Sequence, residues 1–223
     1  MKNIQFCILF FLALGCKGNG IIYRNALASS DNWVVEQQSN GQTIFKNKSI
    51  EVIDAKGCTI WFKNKLVAPV KITYNITIID NGGEYDRVSD MNCFWMANDP
   101  KNPDHFFKDS KKRAGHFPNY HHLKLYYVGY GGHHNTKTRF RRYNGNIHRP
   151  LLPEHDLLDK KFMITANKTM KIEIIVKDNF TSYSRDGDII FKVHDSQPYT
   201  NGYFGFRTVN NHMKIDNFKI MQL

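Results

Sequence analysis

Residues 70–80 read VKITYNITIID, with Ile72, Tyr74, Ile76 and Ile78 alternating with Lys71, Thr73, Asn75 and Thr77. Apolar side chains at every second position share one face of a β-strand, so the run predicts a strand buried on one side and wet on the other. Asn81-Gly82-Gly83 ends it. Similar runs lie on both sides. Upstream, DNWVVEQQ (31–38), TIFKNKSIEVID (43–54) and CTIWFKNKL (58–66) read as strands, the first two separated by an Asn40-Gly41 turn. Downstream, DMNCFWMAN (90–98) is followed by Lys161–Ala166, Met170–Lys177, Phe180–Arg185, Asp188–Asp195, Gly202–Thr208 and His212–Met221. At least ten short strands with turn residues between them, and no convincing amphipathic helix, predict an all-β, two-sheet antiparallel β-sandwich.

The chain has 223 residues, 16 Phe and 11 Tyr, and a formal charge of +11 with ten histidines besides. Its length suits a single domain, expected over 31–223. The positive excess favours an acidic partner. The first residues, MKNIQFCILFFLALGCKGNG, carry a Lys and an apolar run from Phe6 to Leu14, the length of an export signal and short for a membrane span. Gly15-Cys16 resembles a lipobox, although Ala13 stands where Leu is commonest. The expectation is a signal peptide over 1–16, lipidation at Cys16, a tether over 17–30, and export to the periplasm or cell surface. The lipid would then be the protein's membrane contact. Export argues against nucleic acid as the partner, and a monomer is expected. Cys58 and Cys93 sit in strand-like runs, where a disulfide and two buried thiols are both open readings.

Two segments interrupt the strands. DPKNPDHFFKDSKKRAGHFPNYHH (99–122) has three prolines and a basic run, and reads as a long excursion loop with one helical turn. Residues 144–159 form a second irregular segment. Between them lies LKLYYVGYGGHHNTKTRFRRY (123–143), two strand-like runs around a GGHHN connection. On the second run Lys137, Arg139, Arg141 and Tyr143 are spaced by two, so all four leave by one face. A row of cations ending in a tyrosine, beside His133 and His134, points to an anion-holding surface. The plain alternative is a solvated basic face.

The order MKIEIIVKDNF, YSRDGDIIFKVHD, YTNGYFGFRTVNNHMKIDNFKIMQL resembles the closing strands of the concanavalin A-like lectin/glucanase superfamily. The carrying residues are Gly202, Phe204, Gly205, Phe206 and Arg207, then Ile215, Asp216, Asn217 and Phe218. MNCFWMANDP (91–100) and YYVGYGGHHNTKTRFRRY (126–143) also resemble an exported bacterial family of unknown function. The resemblance implies a jelly-roll sandwich. It implies carbohydrate as a ligand class without choosing between lectin, hydrolase and lyase.

Hydrolases of this fold carry a Glu-x-Asp-x-Glu type carboxylate set, and the chain has none; Glu84 and Asp86 lie two apart but in a Gly-rich turn. Hydrolysis by the usual carboxylate pair is therefore disfavoured, and a purely structural surface protein ranks third among the readings. Jelly-roll lyases instead need a group that neutralises a uronate carboxylate and a base and acid for β-elimination. Arg139 and Arg141 are the candidate clamp, and Tyr143, His134 and His133 the candidate proton-transfer groups. Asn92, Lys137 and His116 could contact substrate, and Trp95 and Tyr126 could stack on sugar rings, with core packing the alternative for both aromatics. Asn92 and Trp95 have opposite parity, so at most one lines a regular cleft. The leading expectation is a lyase acting on an acidic, uronic-acid-containing polysaccharide or oligosaccharide. The rival is a non-catalytic glycan-binding surface lipoprotein. No cofactor and no metal site is indicated by residue spacing, while the superfamily resemblance leaves room for a structural calcium near Asp186-Gly187-Asp188.

Overall fold

The structure, a computed structural model, describes residues 20–223. The expected signal segment and Cys16 lie outside the described residues. In chain order the strands are β1 (Gly20–Tyr23), β2 (Trp33–Gln37), β3 (Gln42–Lys46), β4 (Ser49–Asp54), β5 (Cys58–Phe62), β6 (Leu66–Val67), β7 (Val70–Ile79) and β8 (Asn92–Asn98). They continue as β9 (Lys124–Gly131), β10 (Lys137–Asn144), β11 (Asp156–Leu157), β12 (Met170–Val176), β13 (Phe180–Arg185), β14 (Asp188–His194), β15 (Asn201–Thr208) and β16 (Asn211–Gln222). One sheet runs β14-β13-β12-β7-β16-β4-β3, with β1 on β16; the other runs β11-β10-β9-β8-β15-β5-β2, with β6 on β15. Neighbours are antiparallel, as in the β7–β16 and β9–β10 ladders.

The alternation in β7 is realised residue by residue, with Ile72, Tyr74, Ile76 and Ile78 buried and their neighbours half-buried. They face an aromatic interior from the second sheet and β16, including Trp95, Tyr126, Phe204, Phe206 and Phe218. Each such side chain contributes roughly 1.5–3 kcal/mol by leaving water. Cys58 and Cys93 are buried free thiols on β5 and β8. Because β15 lies between those strands, the two cysteines are not neighbours in the sheet.

Three local expectations are corrected. The 43–54 run is a hairpin, broken where Asn47 and Lys48 take left-handed φ values of 53° and 59°. The Asn40-Gly41 turn joins β2 and β3, which belong to opposite sheets, so it is a crossover. Lys161–Ala166 is not a strand. Its first residues form a short helical turn at Lys160–Phe162, capped by the Asp159 side chain, which accepts from the Lys161 N–H.

The 99–122 excursion forms a strap of short helical turns, including Ser110–Arg113, over the outer face of the second sheet. Beneath it a second apolar cluster gathers Trp61, Phe94, Phe106, Tyr120, Tyr127 and Tyr143. Its polar anchor is Arg113, which donates Nη2 and Nε to Oε1 of Glu36 at 2.7 and 3.0 Å, while the Tyr120 hydroxyl donates to Oε2 at 2.6 Å. Gly115 lets the strap touch the sheet: its φ is +74°, and a Cβ there would lie 2.4 Å from the Gly57 carbonyl oxygen.

Candidate functional site

The strap leaves the β9–β10 side of the outer face open. There a groove of about 480 Å³ is lined by Tyr127, Lys137, Arg139, Arg141, Arg149 and Phe117, with His133, His134, Arg87 and Asp90 at its margins. That volume lies within the range usual for small-ligand sites. Strand register builds its floor: Arg141 pairs with Tyr127 and Arg139 with Gly129. Tyr127 lies along its own strand, its hydroxyl 2.6 Å from where a Cβ on Gly129 would sit. Any side chain at 129 would displace the phenol.

His133 and His134 stand on the turn between β9 and β10, exposed at the rim. Gly131, His133, His134 and Asn135 all have left-handed φ, between 54° and 63°, a conformation that costs each histidine roughly 1–2 kcal/mol. Asn135 holds it by bonding Ile164 twice, at 2.9 Å to the carbonyl and 2.8 Å from the N–H.

The cations differ in their partners. Arg139 donates Nε and Nη2 to the two carboxylate oxygens of Asp156 at 2.8 and 2.9 Å, and its Nη1 lies 3.0 Å from His133 Nε2. Arg87 is paired with Asp90 at 2.7 Å. Arg141, Arg149 and Lys137 have no ion pair among the described residues. Arg141 donates Nη1 to the Arg149 carbonyl oxygen, and burial with the nearby Arg149 charge holds its pKa below the usual value. Arg149 stacks on Phe117, 5.4 Å from the ring centre. Burial pushes the Tyr127 phenol well above its ordinary value and keeps it protonated.

Lys137, Arg141, His133 and His134 thus meet in the groove, and the other expected site residues take different places. Arg139 lines the groove with its charge already matched by Asp156 and three of its five N–H donors engaged, which sets it apart from the unpaired Arg141. Tyr143 shares the face of the cations, but it is 0% exposed under the strap. Its hydroxyl is buried beside the Arg149 and Arg141 charges and does not line the groove. Tyr126 and Trp95 face the inter-sheet core: the Tyr126 hydroxyl donates to Asp195 at 2.6 Å and Trp95 Nε1 to Thr181 at 2.9 Å. Neither can stack on a sugar. Asn92 has the opposite parity to Trp95, as expected, yet it is buried beside Arg207 with its Nδ2 3.4 Å from Asp90, behind the groove wall. His116 is exposed on the strap and does not line the groove.

Tyr127, Arg149, Arg87, Asp90, Asp156 and Phe117 were not singled out by the sequence reading. For Tyr127 a signal exists: it has the parity that pairs with Arg141, and a glycine follows two residues later where its ring must lie.

Among the described residues no three or more His, Cys, Asp or Glu side chains gather as a metal-ligand set. Asp186, the calcium candidate, accepts from the Lys171 N–H at 2.8 Å with Arg185 3.8 Å away. Such an arrangement does not supply the six or more oxygens calcium prefers.

Two packed antiparallel sheets of this topology define a concanavalin A-like jelly roll, and solved structures bear out the fold. One is a Bacillus subtilis protein of unknown function with a galectin-like fold, at 19% identity, TM-score 0.69, and 91% and 96% coverage of this chain and that one. A second is the carbohydrate-binding module CBM66 from Bacillus subtilis, at 14% identity, TM-score 0.55, and 84% and 93% coverage. A third is a Bacillus licheniformis β-glucanase, at 11% identity, TM-score 0.55, and 92% and 98% coverage. The chain belongs to the DUF6250 family, a domain of unknown function, which matches residues 52–218. No curated protein matches the sequence.

Proposed function

We infer that this is a carbohydrate-active protein whose groove binds an acidic glycan, and that it acts on that glycan as a polysaccharide lyase. The carrying observation is the groove's charge: of the five cationic side chains that line it, Arg87 and Arg139 are paired with Asp90 and Asp156, while Lys137, Arg141 and Arg149 have no ion pair among the described residues. Fold neighbours that are a carbohydrate-binding module and a glucanase support the ligand class. Two facing carboxylates, which a hydrolase of the usual kind needs, are not gathered there.

In the lyase reading Arg141 and Arg149 neutralise the uronate carboxylate, which acidifies the C5 proton. His134 or His133 takes that proton, the electron pair forms the C4–C5 double bond, and the C4–O bond breaks. Tyr127, whose phenol lines the groove, supplies the proton to the leaving oxygen. The same reading takes the protein to be exported and anchored through Cys16. A non-catalytic glycan-binding role is the second reading. It is favoured by the burial of Tyr143, which removes the most lyase-like residue of β10 from the groove.

Incubation with a panel of acidic polysaccharides, followed by the ultraviolet band of the unsaturated uronate, separates the two. Product that Tyr127→Phe abolishes while binding persists supports the lyase. Binding without product on any member of the panel leaves the binding role, and no binding to any member refutes both.

A further inference from the structure

Building on that reading of the groove, we propose that its ligand carries charge on alternate sugars. An anionic sugar would sit at Arg141 and Arg149, an uncharged one over Arg139, and a second anionic one at Lys137. The inference rests on which cations of the groove are already neutralised. Arg139 is closed by the bidentate contact to Asp156 and by His133, so every nitrogen of its guanidinium has a partner. Asp156 is matched to this task, its carboxyl held below the usual range first by the hydrogen bond from Arg139. On the far wall Arg87 is matched by Asp90 at 2.7 Å and donates Nε to the Asn210 carbonyl at 2.7 Å. The charges left over are Arg141 with Arg149 at one end and Lys137 at the other.

Lys137, Arg139 and Arg141 follow one another on a single face of β10. Their Cα atoms are about 6.6 Å apart at each step, so the two free positive positions are about 13 Å apart with a neutral pair between them. A polymer with a carboxylate on every ring would bring its middle carboxylate over Arg139, whose charge Asp156 already neutralises, so that carboxylate is desolvated without gaining an ion pair. A polymer of alternating acidic and neutral sugars places an uncharged ring there and still satisfies both ends. Arg141, whose Nη1 donates to the Arg149 backbone carbonyl, also lies near the Arg149 charge, and an anion shared at that end relieves their repulsion.

Titration calorimetry at one ionic strength tests this with two probes. One is an unsulfated hexasaccharide in which glucuronate alternates with N-acetylglucosamine; the other is hexagalacturonate. The alternating hexasaccharide, with half the charge, should bind at least tenfold more tightly. Asp156→Asn, checked for an unchanged melting temperature, uncovers the Arg139 charge and should narrow the gap by strengthening hexagalacturonate binding. Equal or tighter binding of hexagalacturonate to the unaltered protein overturns the alternation and leaves the acidic-glycan reading standing. If neither probe binds, both readings fall. A gap that Asp156→Asn leaves unchanged overturns the role of the Arg139–Asp156 pair.

Discussion

Replacing Arg113 with methionine tests whether the wall of the groove hangs on one buried ion pair. Arg113 is 1% exposed and donates to both oxygens of Glu36, itself 2% exposed, and through Nη1 to the Phe106 carbonyl at 3.0 Å. Arg113→Met keeps an apolar stem over Phe106 and leaves the carboxylate with the Tyr120 hydroxyl as its remaining side-chain partner. Breaking a buried pair from one side costs about 3–5 kcal/mol. For a domain of this size each kcal/mol lowers Tm by about 2–4 °C, so a drop of roughly 6–20 °C is expected. Glu36→Leu combined with Arg113→Met removes both charges and should recover more than half of the loss. Lys111 and Lys112 sit exposed beside Arg113, so trypsin should cut the strap of the single variant faster than that of the unaltered protein. Differential scanning calorimetry and timed proteolysis read both effects. A Tm drop below about 3 °C, or a double variant no more stable than the single one, would refute the anchoring role.

Arg141→Ala should weaken acidic-glycan binding by about 1.5–3 kcal/mol, roughly 10–150-fold, while Lys171→Ala on the other sheet leaves it unchanged; titration calorimetry decides. Tyr143→Phe removes a buried hydroxyl that makes no well-formed hydrogen bond, so melting temperature and glycan binding should both stay close to those of the unaltered protein. A large loss of either would show that this hydroxyl works. Burial, reinforced by Arg149 and Arg141, lowers the His121 pKa to about 4. The unfolded chain therefore takes up the proton first, and stability present above about pH 6.5 should fall as the pH drops towards 4. Urea midpoints across that range should show the fall, and His121→Gln should flatten it.

Most of the fold could be read because the deciding pattern is local. The alternation over 70–80 became β7 with the same residues inside, and the Gly202–Arg207 and Ile215–Phe218 segments became parts of β15 and β16. Failures came where one or two residues chose the backbone. Nothing in TIFKNKSIEVID marks a break as plainly as Asn-Gly would, yet Asn47 and Lys48 take the positive φ values that close a tight hairpin. At Asp159 a side-chain cap turned an apolar run into a helical turn.

The site was legible only as far as strand parity reaches. Parity placed Lys137, Arg139, Arg141 and Tyr143 on one face, and they share it. Whether a position on that face meets solvent or protein depends on the strap, which arrives from residues 99–122 and covers Tyr143 but not Arg141. Parity was equally silent on Arg139, whose charge is cancelled by Asp156, its partner on β11 seventeen residues on. That cancellation changes what β10 can recognise. Three same-face cations read as a continuous row would favour any polyanion in proportion to its charge density. With the middle position neutralised, binding should instead follow the spacing of the ligand's charges, and a more highly charged polymer gains nothing at the centre of the groove.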